Sequence, residues 1–231
     1  MGTANGKATW GKQDRDGAGR TELVFILDAS GSMSGLEEDT VGGFNAMIAE
    51  NREEPGEATV SVVTFNDRSN VLLDRVAIDE VPRLTRKQYR CFGCTALLDA
   101  VGGAIEHIDL VQRVQPEGYQ ADRVLFAITT DGMENASKRY TYRRVKHLIE
   151  AYREQGWEFI FIGANIDVAA EADRLGISRE RAVGYVPDAF GTERVYRAAS
   201  IAVGACRSGA SLDAAAWRED LDEDVRRRGK R

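Results

Sequence analysis

The sequence predicts an α/β fold, with a mostly parallel central sheet, one antiparallel edge strand and helices on both faces. Continuous apolar runs of strand length recur along the chain, and segments with apolar residues at helical spacing lie between them. Two of the strand-like segments are joined by only five residues, 66–70, a linker of hairpin length that is too short for a parallel crossover. These observations together favour a layered α/β domain.

The strands are predicted from apolar runs of the kind that a parallel sheet buries on both faces. Such runs occupy residues 23–27, 124–128 and 159–162, and two further strands, the second of them weak, are predicted at residues 60–65 and 182–186. The segment at residues 71–73 follows the short linker. We therefore expect this last strand to run antiparallel at a sheet edge.

The helices are predicted from apolar residues that recur three and four positions apart. They lie around residues 36–48, 97–108, 142–152, 168–175 and 195–206. Gly42-Gly43 and Gly102-Gly103 interrupt the first two, and each glycine costs about 1 kcal/mol relative to alanine in a helix interior. Close packing is the favoured explanation of these pairs, and a hinge is the alternative. The alternation of strands and helices predicts a Rossmann-like three-layer sandwich that binds ligands beyond the carboxyl ends of its strands.

Composition excludes several classes of protein. The chain has 231 residues, with 31 Lys and Arg against 37 Asp and Glu, a net charge of −6, and 43% hydrophobic residues, as in one soluble globular domain. The acidic balance argues against nucleic-acid binding. No segment approaches the roughly 20 consecutive apolar residues of a membrane span, so no membrane contact and a cytoplasmic location are predicted. Three cysteines do not make a secreted disulfide framework.

The chain is predicted to have three parts. Residues 1–20 are polar and glycine-rich and are expected to form a flexible leader, and residues 21–209 form the domain. Residues 210–231 carry a block of acidic residues and then a block of basic residues, so we expect a charged tail or a short helix. Apolar residues at near-helical spacing in this last part are Leu212, Trp217, Leu221 and Val225.

Five oxygen-bearing side chains follow or precede the predicted elements at one edge of the sheet. Asp28, Ser30 and Ser32 alternate in a glycine-containing turn after the first strand. Thr95 opens the second long helix, and Asp131 follows the strand at residues 124–128. Because the carboxyl ends of parallel strands share one edge, these side chains are expected to converge.

This donor set favours a hard divalent cation, because it offers oxygen without nitrogen or thiolate. Few carboxylates with retained waters suit Mg²⁺ better than Ca²⁺. Two aspartates balance the charge of the ion, and neutral hydroxyls leave it electrophilic toward one more anionic oxygen. The sequence therefore predicts a docking site for an acidic group.

The pattern resembles the metal-ion-dependent adhesion site (MIDAS) of the von Willebrand factor A-type (VWA) domain, which has an Asp-x-Ser-x-Ser segment, a distant Thr and a distant Asp. Asp28, Ser30 and Ser32 match the first segment, and Thr95 and Asp131 match the other two. The resemblance covers about residues 21–209, includes the order of strands and helices, and indicates an intact MIDAS of the bacterial intracellular type.

The resemblance implies a divalent cation, usually Mg²⁺ with Mn²⁺ or Ca²⁺ as alternatives, held directly by the serines and exchangeably by Thr95. Asp28 and Asp131 often act through waters in the family. It further implies a protein-binding domain without enzymatic activity, whose partner supplies a carboxylate. Bacterial intracellular relatives serve AAA+ ATPases, chelatases, or stress and tellurite-resistance operons. An unidentified protein such as an AAA+ ATPase or an operon-encoded protein is therefore the expected partner.

Other interpretations of the same residues stay open. A turn with a helix cap is a sufficient explanation of Asp28, Ser30 and Ser32 taken alone, and Thr95 is a candidate N-cap as well. A Mg²⁺-dependent phosphatase would use a strand-terminal Asp as phosphoryl acceptor, although a haloacid-dehalogenase-like site has a second Asp where Ser30 stands. A structural or assembly module would bind through its tail or a helix face.

Residues beside this set raise two further questions. Cys91 and Cys94 form a Cys-x-x-Cys pair before Thr95, for which ordinary loop thiols are favoured over a zinc site. A sharper hypothesis is that oxidation closes this loop and displaces Thr95. Glu134 and Asn135 follow Asp131 and either shape the choice of partner or are solvated loop residues.

Overall fold

A computed structural model describes residues 19–212 and 215–229 of the chain. In this part the chain forms one six-stranded sheet with helices on both faces. The strands are β1 (Thr21–Asp28), β2 (Ala58–Phe65), β3 (Ser69–Ala77), β4 (Arg123–Thr130), β5 (Glu158–Gly163) and β6 (Ala182–Gly184). The helices are α1 (Glu37–Arg52), α2 (Leu97–Val114), α3 (Tyr142–Arg153), α4 (Val168–Leu175), α5 (Ala189–Ser208) and α6 (Glu219–Arg228).

The strand order is β3-β2-β1-β4-β5-β6, and all neighbours pair in parallel except β2 and β3. The predicted fold class, with its antiparallel edge strand, is thus confirmed. The chain runs outward from β1 through β2 to β3, then returns to the other side of β1 and continues outward from β4. The order therefore reverses between β1 and β4, which is where open α/β sheets form a crevice for ligands.

The sheet separates two apolar layers because successive side chains of a strand point to opposite faces. Leu23, Phe25 and Leu27 of β1 pack on the face covered by α1 and α5. Val24 and Ile26 pack on the face covered by α2, α3 and α4. All of β1 is buried, which explains why its residues 23–27 are continuously apolar and do not alternate.

β3 extends well beyond its predicted positions, and β6 is shorter than predicted. β3 runs over Ser69–Ala77, whereas apolar residues marked only positions 71–73. It is an edge strand with exposed and half-buried positions, so its polar residues remain compatible with pairing. β6 is only Ala182–Gly184; its neighbour β5 ends at Gly163, whose carbonyl accepts a hydrogen bond from the Tyr185 main-chain N–H.

Close packing explains one glycine of each helical pair. A Cβ atom at Gly43 would lie 2.4 Å from Tyr196 Cδ2, and one at Gly102 would lie 2.3 Å from Tyr140 Cδ1. Gly42 and Gly103 have no neighbouring atom within 4 Å of such a Cβ position. The first two glycines therefore let an aromatic ring pack against the helix backbone, whereas the other two meet open space.

The segment after α5 returns to the domain. Trp217 and Leu221 are buried in the apolar layer that contains α1 and α5. Arg228 binds Asp188, the N-cap of α5, through Nη1 at 2.6 Å, and its guanidinium also contacts Asp224. α6 is thus anchored by apolar contacts on one side and by a charged cluster on the other.

Among the residues described, none of the helices combines the length and apolar character needed to traverse a lipid bilayer.

Candidate metal centre

The carboxyl ends of β1 and β4 bring Asp28 and Asp131 together. The two strands pair in parallel up to Leu27 and Thr129, so the chain leaves both at the same sheet edge. Both aspartates are buried, and the Asp131 main-chain N–H lies 3.4 Å from Asp28 Oδ2. The parallel register therefore fixes the spacing of the two carboxylates.

The turn after β1 adds the two serine hydroxyls. Ser30 Oγ and Ser32 Oγ are 3.0 Å apart, and Ser32 Oγ donates a hydrogen bond to Asp131 Oδ1 at 2.5 Å. Ser30 is buried and Ser32 is exposed. The turn thus places one hydroxyl inside the cluster and one at its mouth.

Thr95 reaches the same cluster from the loop before α2. A Cβ atom at Gly132 would lie 3.6 Å from Thr95 Oγ1 and 3.7 Å from Ser32 Oγ, so both hydroxyls approach the same glycine. Thr95 itself is only 4% exposed. The structure therefore gathers all five residues singled out in the sequence. Thr95 does not fill the alternative role considered for it, because the N-cap of α2 is Ala96.

Neighbouring groups hold Asp28 in place. Its Oδ1 accepts a hydrogen bond from the Ser30 main-chain N–H at 2.7 Å, and its Oδ2 accepts one from Thr130 Oγ1 at 2.6 Å. The Tyr89 hydroxyl donates to the Asp28 carbonyl. Thr130 and Tyr89 are buried, so these bonds fix the first aspartate from inside the protein.

The electrostatics of the cluster favour a cation. Burial raises the pKa of Asp131, and the nearby Asp28 carboxylate raises it further, although the hydrogen bond from Ser32 opposes both effects. Burial raises the pKa of Tyr185 well above its ordinary value, and both aspartates add to the increase. The site is therefore a buried region of negative potential that a bound cation would neutralise.

The donor set fits a hard divalent cation, because it consists of two carboxylates and three hydroxyls. Among the described residues no group of three or more His, Cys, Asp or Glu is arranged to hold a metal ion. The present cluster is of a different kind, since three of its five side chains are hydroxyls. Asp28, Ser30, Ser32, Thr95 and Asp131 are thus the residues that could hold an ion.

The loop that carries Thr95 is held from both sides. On one side, Asp67 Oδ1 accepts a hydrogen bond from the Cys94 N–H at 2.8 Å, and the Asn66 carbonyl accepts one from the Ala96 N–H at 2.7 Å. On the other side, Asn135 Oδ1 accepts from the Thr95 N–H at 2.8 Å, and the Asn135 N–H donates to the Thr95 carbonyl at 3.0 Å.

The segment after Asp131 also caps α2. Glu134 Oε2 accepts from the Leu98 N–H at 2.9 Å, and Ser137 Oγ accepts from the Asp99 N–H at 3.0 Å. In return, the Asp99 carboxylate accepts from the N–H groups of residues 138–140. The N–H groups of Leu98 and Asp99 lie at the start of a helix and therefore need acceptors from outside the helix.

The sequence did not lead us to predict the contact of Glu134 and Asn135 with the Thr95 loop and the start of α2. Asn135 is exposed, which agrees with a loop residue, but its amide oxygen accepts a hydrogen bond from the Thr95 N–H, and a carboxylate oxygen of Glu134 accepts one from the Leu98 N–H at the start of α2. Ala96, at the N-cap of α2, has a methyl side chain that cannot accept a hydrogen bond. A helix whose own N-cap cannot serve it, together with a Glu-Asn pair after a strand end, was the available signal.

The two loop cysteines are free thiols in the structure, Cys94 exposed and Cys91 partly buried. Burial raises the pKa of Cys91 to about 12, and the hydrogen bond with Asp67 raises that of Cys94. Both effects favour the unreactive thiol form. The proposed redox control of this loop stays a prediction.

Two large, exposed apolar side chains lie on the loops that carry the cluster. Phe92 lies in the loop before Thr95 and is 52% exposed, and Met133 follows Asp131 by two residues and is 61% exposed. The Phe92 N–H bonds the Ala29 carbonyl, which ties this loop to the serine turn. The loops that form the acidic cluster therefore also carry exposed apolar residues.

No protein-family model matches the chain, and no curated protein sequence matches it. Solved structures do. The vWF domain of the type V pili tip protein Mfa5 from Porphyromonas gingivalis is 10% identical with a TM-score of 0.57, and the match covers 80% of this chain and 97% of that chain. The von Willebrand factor type A structure from Catenulispora acidiphila is 15% identical with a TM-score of 0.55, and covers 81% and 43%.

A third match is proximal thread matrix protein 1 (PTMP1) from the mussel byssus, solved with a zinc-occupied MIDAS motif. It is 21% identical with a TM-score of 0.52, over 81% of this chain and 47% of that chain. The chain thus spans less than half the length of PTMP1 and of the Catenulispora acidiphila protein. At these identities the similarity establishes the fold alone, and the chain has the fold of a von Willebrand factor type A domain.

Proposed function

We propose that this chain is a divalent-metal-dependent protein-binding domain whose metal site is formed by Asp28, Ser30, Ser32, Thr95 and Asp131. The single observation that carries the proposal is the convergence of these five oxygen donors at the point where the strand order reverses. The zinc-occupied MIDAS motif of PTMP1 supports a divalent cation in a domain of this fold.

The carboxylates and the hydroxyls of the site have different roles in binding the ion. Asp28 and Asp131 supply the negative charge that balances the ion, and burial strengthens their attraction for it. The hydroxyls of Ser30, Ser32 and Thr95 supply neutral oxygens. When bound, the cation supplies an electrophilic position for one carboxylate oxygen of a partner. Mg²⁺ is the proposed ion, since few carboxylates and several neutral oxygens suit it, with Mn²⁺ or Ca²⁺ as alternatives.

The surroundings of the site support binding over catalysis. Neither histidine belongs to the cluster, because His107 bonds Asp74 on β3 and His147 lies in α3. The Ser32 hydroxyl donates its hydrogen bond to Asp131, which itself belongs to the proposed metal set. Phe92 and Met133 offer apolar contact area next to the charged centre. We therefore expect no enzymatic turnover, and expect a protein partner.

Three finer expectations follow from the sequence and belong to the same proposal. The partner is a protein that supplies a carboxylate, with an AAA+ ATPase or an operon-encoded protein as candidates. The location is cytoplasmic. The domain occupies about residues 21–209, between a polar leader and a charged C-terminal part.

Affinity capture from a lysate of the native organism tests the proposal. The immobilised chain is presented with Mg²⁺, with EDTA, and with Mg²⁺ on an Asp28→Ala variant, and captured proteins are identified by mass spectrometry. An Asp173→Ala variant is the matched control, because Asp173 is an exposed carboxylate on α4 outside the cluster. We expect a protein captured by the original chain and the control with Mg²⁺ only.

Two other results would redirect the assignment. The same proteins in every sample would favour an assembly module that binds through α6 or another helix face. Hydrolysis of p-nitrophenyl phosphate by the original chain, abolished by Asp28→Asn, would favour a phosphatase.

A further inference from the structure

One residue, Asn135, joins the loop after Asp131 to the loop that carries Thr95, through its side chain and its main chain. Asn135 accepts a hydrogen bond from the Thr95 N–H through Oδ1 at 2.8 Å, and its own N–H donates to the Thr95 carbonyl at 3.0 Å. Both polar main-chain groups of Thr95 are therefore bonded to Asn135. A residue held by two bonds from one partner cannot rotate its peptide planes without breaking one of them.

These bonds bear directly on the hydroxyl of Thr95. The side chain leaves the Cα atom between the two bonded groups, so the main-chain orientation sets the direction of the Cα–Cβ bond from which Oγ1 reaches Gly132, where it lies near Ser32 Oγ. On the opposite side, Asp67 holds the neighbouring Cys94 N–H but leaves Thr95 itself untouched. Asn135 is thus the contact closest to the Thr95 donor.

The rest of the contact between this segment and α2 is spatially separate. Glu134 and Ser137 bond the N–H groups of Leu98 and Asp99, three and four residues beyond Thr95. Ser137 therefore gives a matched comparison. It supplies one side-chain acceptor to the same helix start, at a similar distance, without touching a residue of the metal set.

We propose that Asn135 is a positioning residue for the metal site, because it fixes the Thr95 hydroxyl relative to Asp131. The inference rests on the proposed function. Asn135 is exposed and is not one of the five donors. Its side chain is expected to contribute more to the metal affinity than to the stability of the fold. Water can replace the lost acceptor at Thr95 when the side chain is removed, so folding changes little, but water does not fix the loop.

Titration of Mn²⁺ into the metal-free full chain tests this, with affinity read by calorimetry and by the electron paramagnetic resonance signal of the free ion. The variants are Asn135→Ala, Ser137→Ala and Asn135→Asp, the last of which keeps an acceptor oxygen at the same position. All titrations are run in about 0.5 M KCl, where added surface charge is largely screened. Urea unfolding of each variant in EDTA measures stability separately.

We expect Asn135→Ala to weaken Mn²⁺ binding about tenfold, the effect typical of residues that orient metal ligands, and Asn135→Asp to recover most of that loss. Ser137→Ala is expected to bind Mn²⁺ within about twofold of the original chain, with a comparable or larger loss of stability than Asn135→Ala. Unchanged affinity in Asn135→Ala, an equal loss in Ser137→Ala, or no recovery in Asn135→Asp would overturn the positioning role.

The original chain separates this inference from the proposed function. If the original chain binds Mn²⁺ and Asn135→Ala binds it equally well, only the positioning role fails. If the original chain binds no Mn²⁺, the proposed metal site fails and the positioning role fails with it.

Discussion

Asp28 and Asp131 follow adjacent parallel strands, and the main-chain N–H of Asp131 lies 3.4 Å from the Asp28 carboxylate. This pair occupies the place where the sheet order reverses. The two like charges are buried together, so the metal-free domain keeps an unfavourable interaction that a cation would remove.

A divalent cation is therefore expected to stabilise the protein. At a free Mg²⁺ concentration 100 times its dissociation constant, the gain in the free energy of unfolding is about 2.7 kcal/mol. Asp131→Asn is expected to remove most of this gain without destabilising the metal-free protein, because the like-charge repulsion is lost as well. Thermal unfolding with Mg²⁺ and with EDTA measures both the lost Mg²⁺ effect and the stability of the metal-free variant. An equal Mg²⁺ effect in Asp131→Asn would place the ion elsewhere.

The neighbouring glycines of α1 are expected to respond oppositely to alanine. Gly43→Ala forces a methyl group into the Tyr196 ring, and we expect a cost of about 1–3 kcal/mol. Gly42→Ala meets open space and should stabilise the helix by up to about 1 kcal/mol. Urea unfolding of the two variants measures the difference. Destabilisation by Gly42→Ala would argue that α1 needs flexibility at this pair.

The C-terminal helix is expected to contribute to the core. Leu221 is fully buried, so Leu221→Ala should lower the free energy of unfolding by about 2–4 kcal/mol. Leu110→Ala is the matched control, since Leu110 is an exposed helical leucine and its loss should cost less than about 0.5 kcal/mol. Equal stability of the two variants would show that α6 is not packed on the domain in solution.

The charged cluster around Arg228 predicts a pH dependence of stability. Hydrogen bonds from Arg228 lower the pKa of Asp188 and of Asp224 below their ordinary values. A carboxyl with a lowered pKa stabilises the fold above its unfolded pKa of about 3.9, and this contribution is lost as the pH falls through the lower, folded value.

Arg228→Met should therefore be less stable than the original chain at pH 7, and the difference should shrink as the pH falls below about 4. Arg86→Met is the control, because Arg86 and its partner Glu38 are both exposed and a surface ion pair contributes little to stability. Denaturant unfolding between pH 3 and pH 7 measures the trend. A constant difference across this range would contradict the assignment of these ion pairs.

The fold was predictable because its main elements are strongly patterned. The buried run of β1 and the short linker between β2 and β3 were sufficient for the parallel sheet and its antiparallel edge. The ends of β3 could not be predicted, because an edge strand tolerates polar residues such as Asn70 and Asp74, which do not form an apolar pattern.

The five candidate donors were predictable for a similar reason: each follows or precedes an element that the sequence defines. Their supporting contacts were not. Asn135 acts through main-chain groups of Thr95, forty residues away, and Tyr196 meets Gly43 only because α1 packs on α5. Contacts of this kind depend on how elements pack, and no periodicity in a single sequence encodes them.

The most direct measurement of the central claim is an anomalous difference map at the manganese edge from crystals grown with Mn²⁺. We expect one peak in contact with the hydroxyls of Ser30 and Ser32, between Asp28 and Asp131 and within reach of Thr95. We expect no such peak in crystals of Asp28→Ala. A peak elsewhere on the chain, or an unoccupied cluster at saturating Mn²⁺, would contradict the central claim.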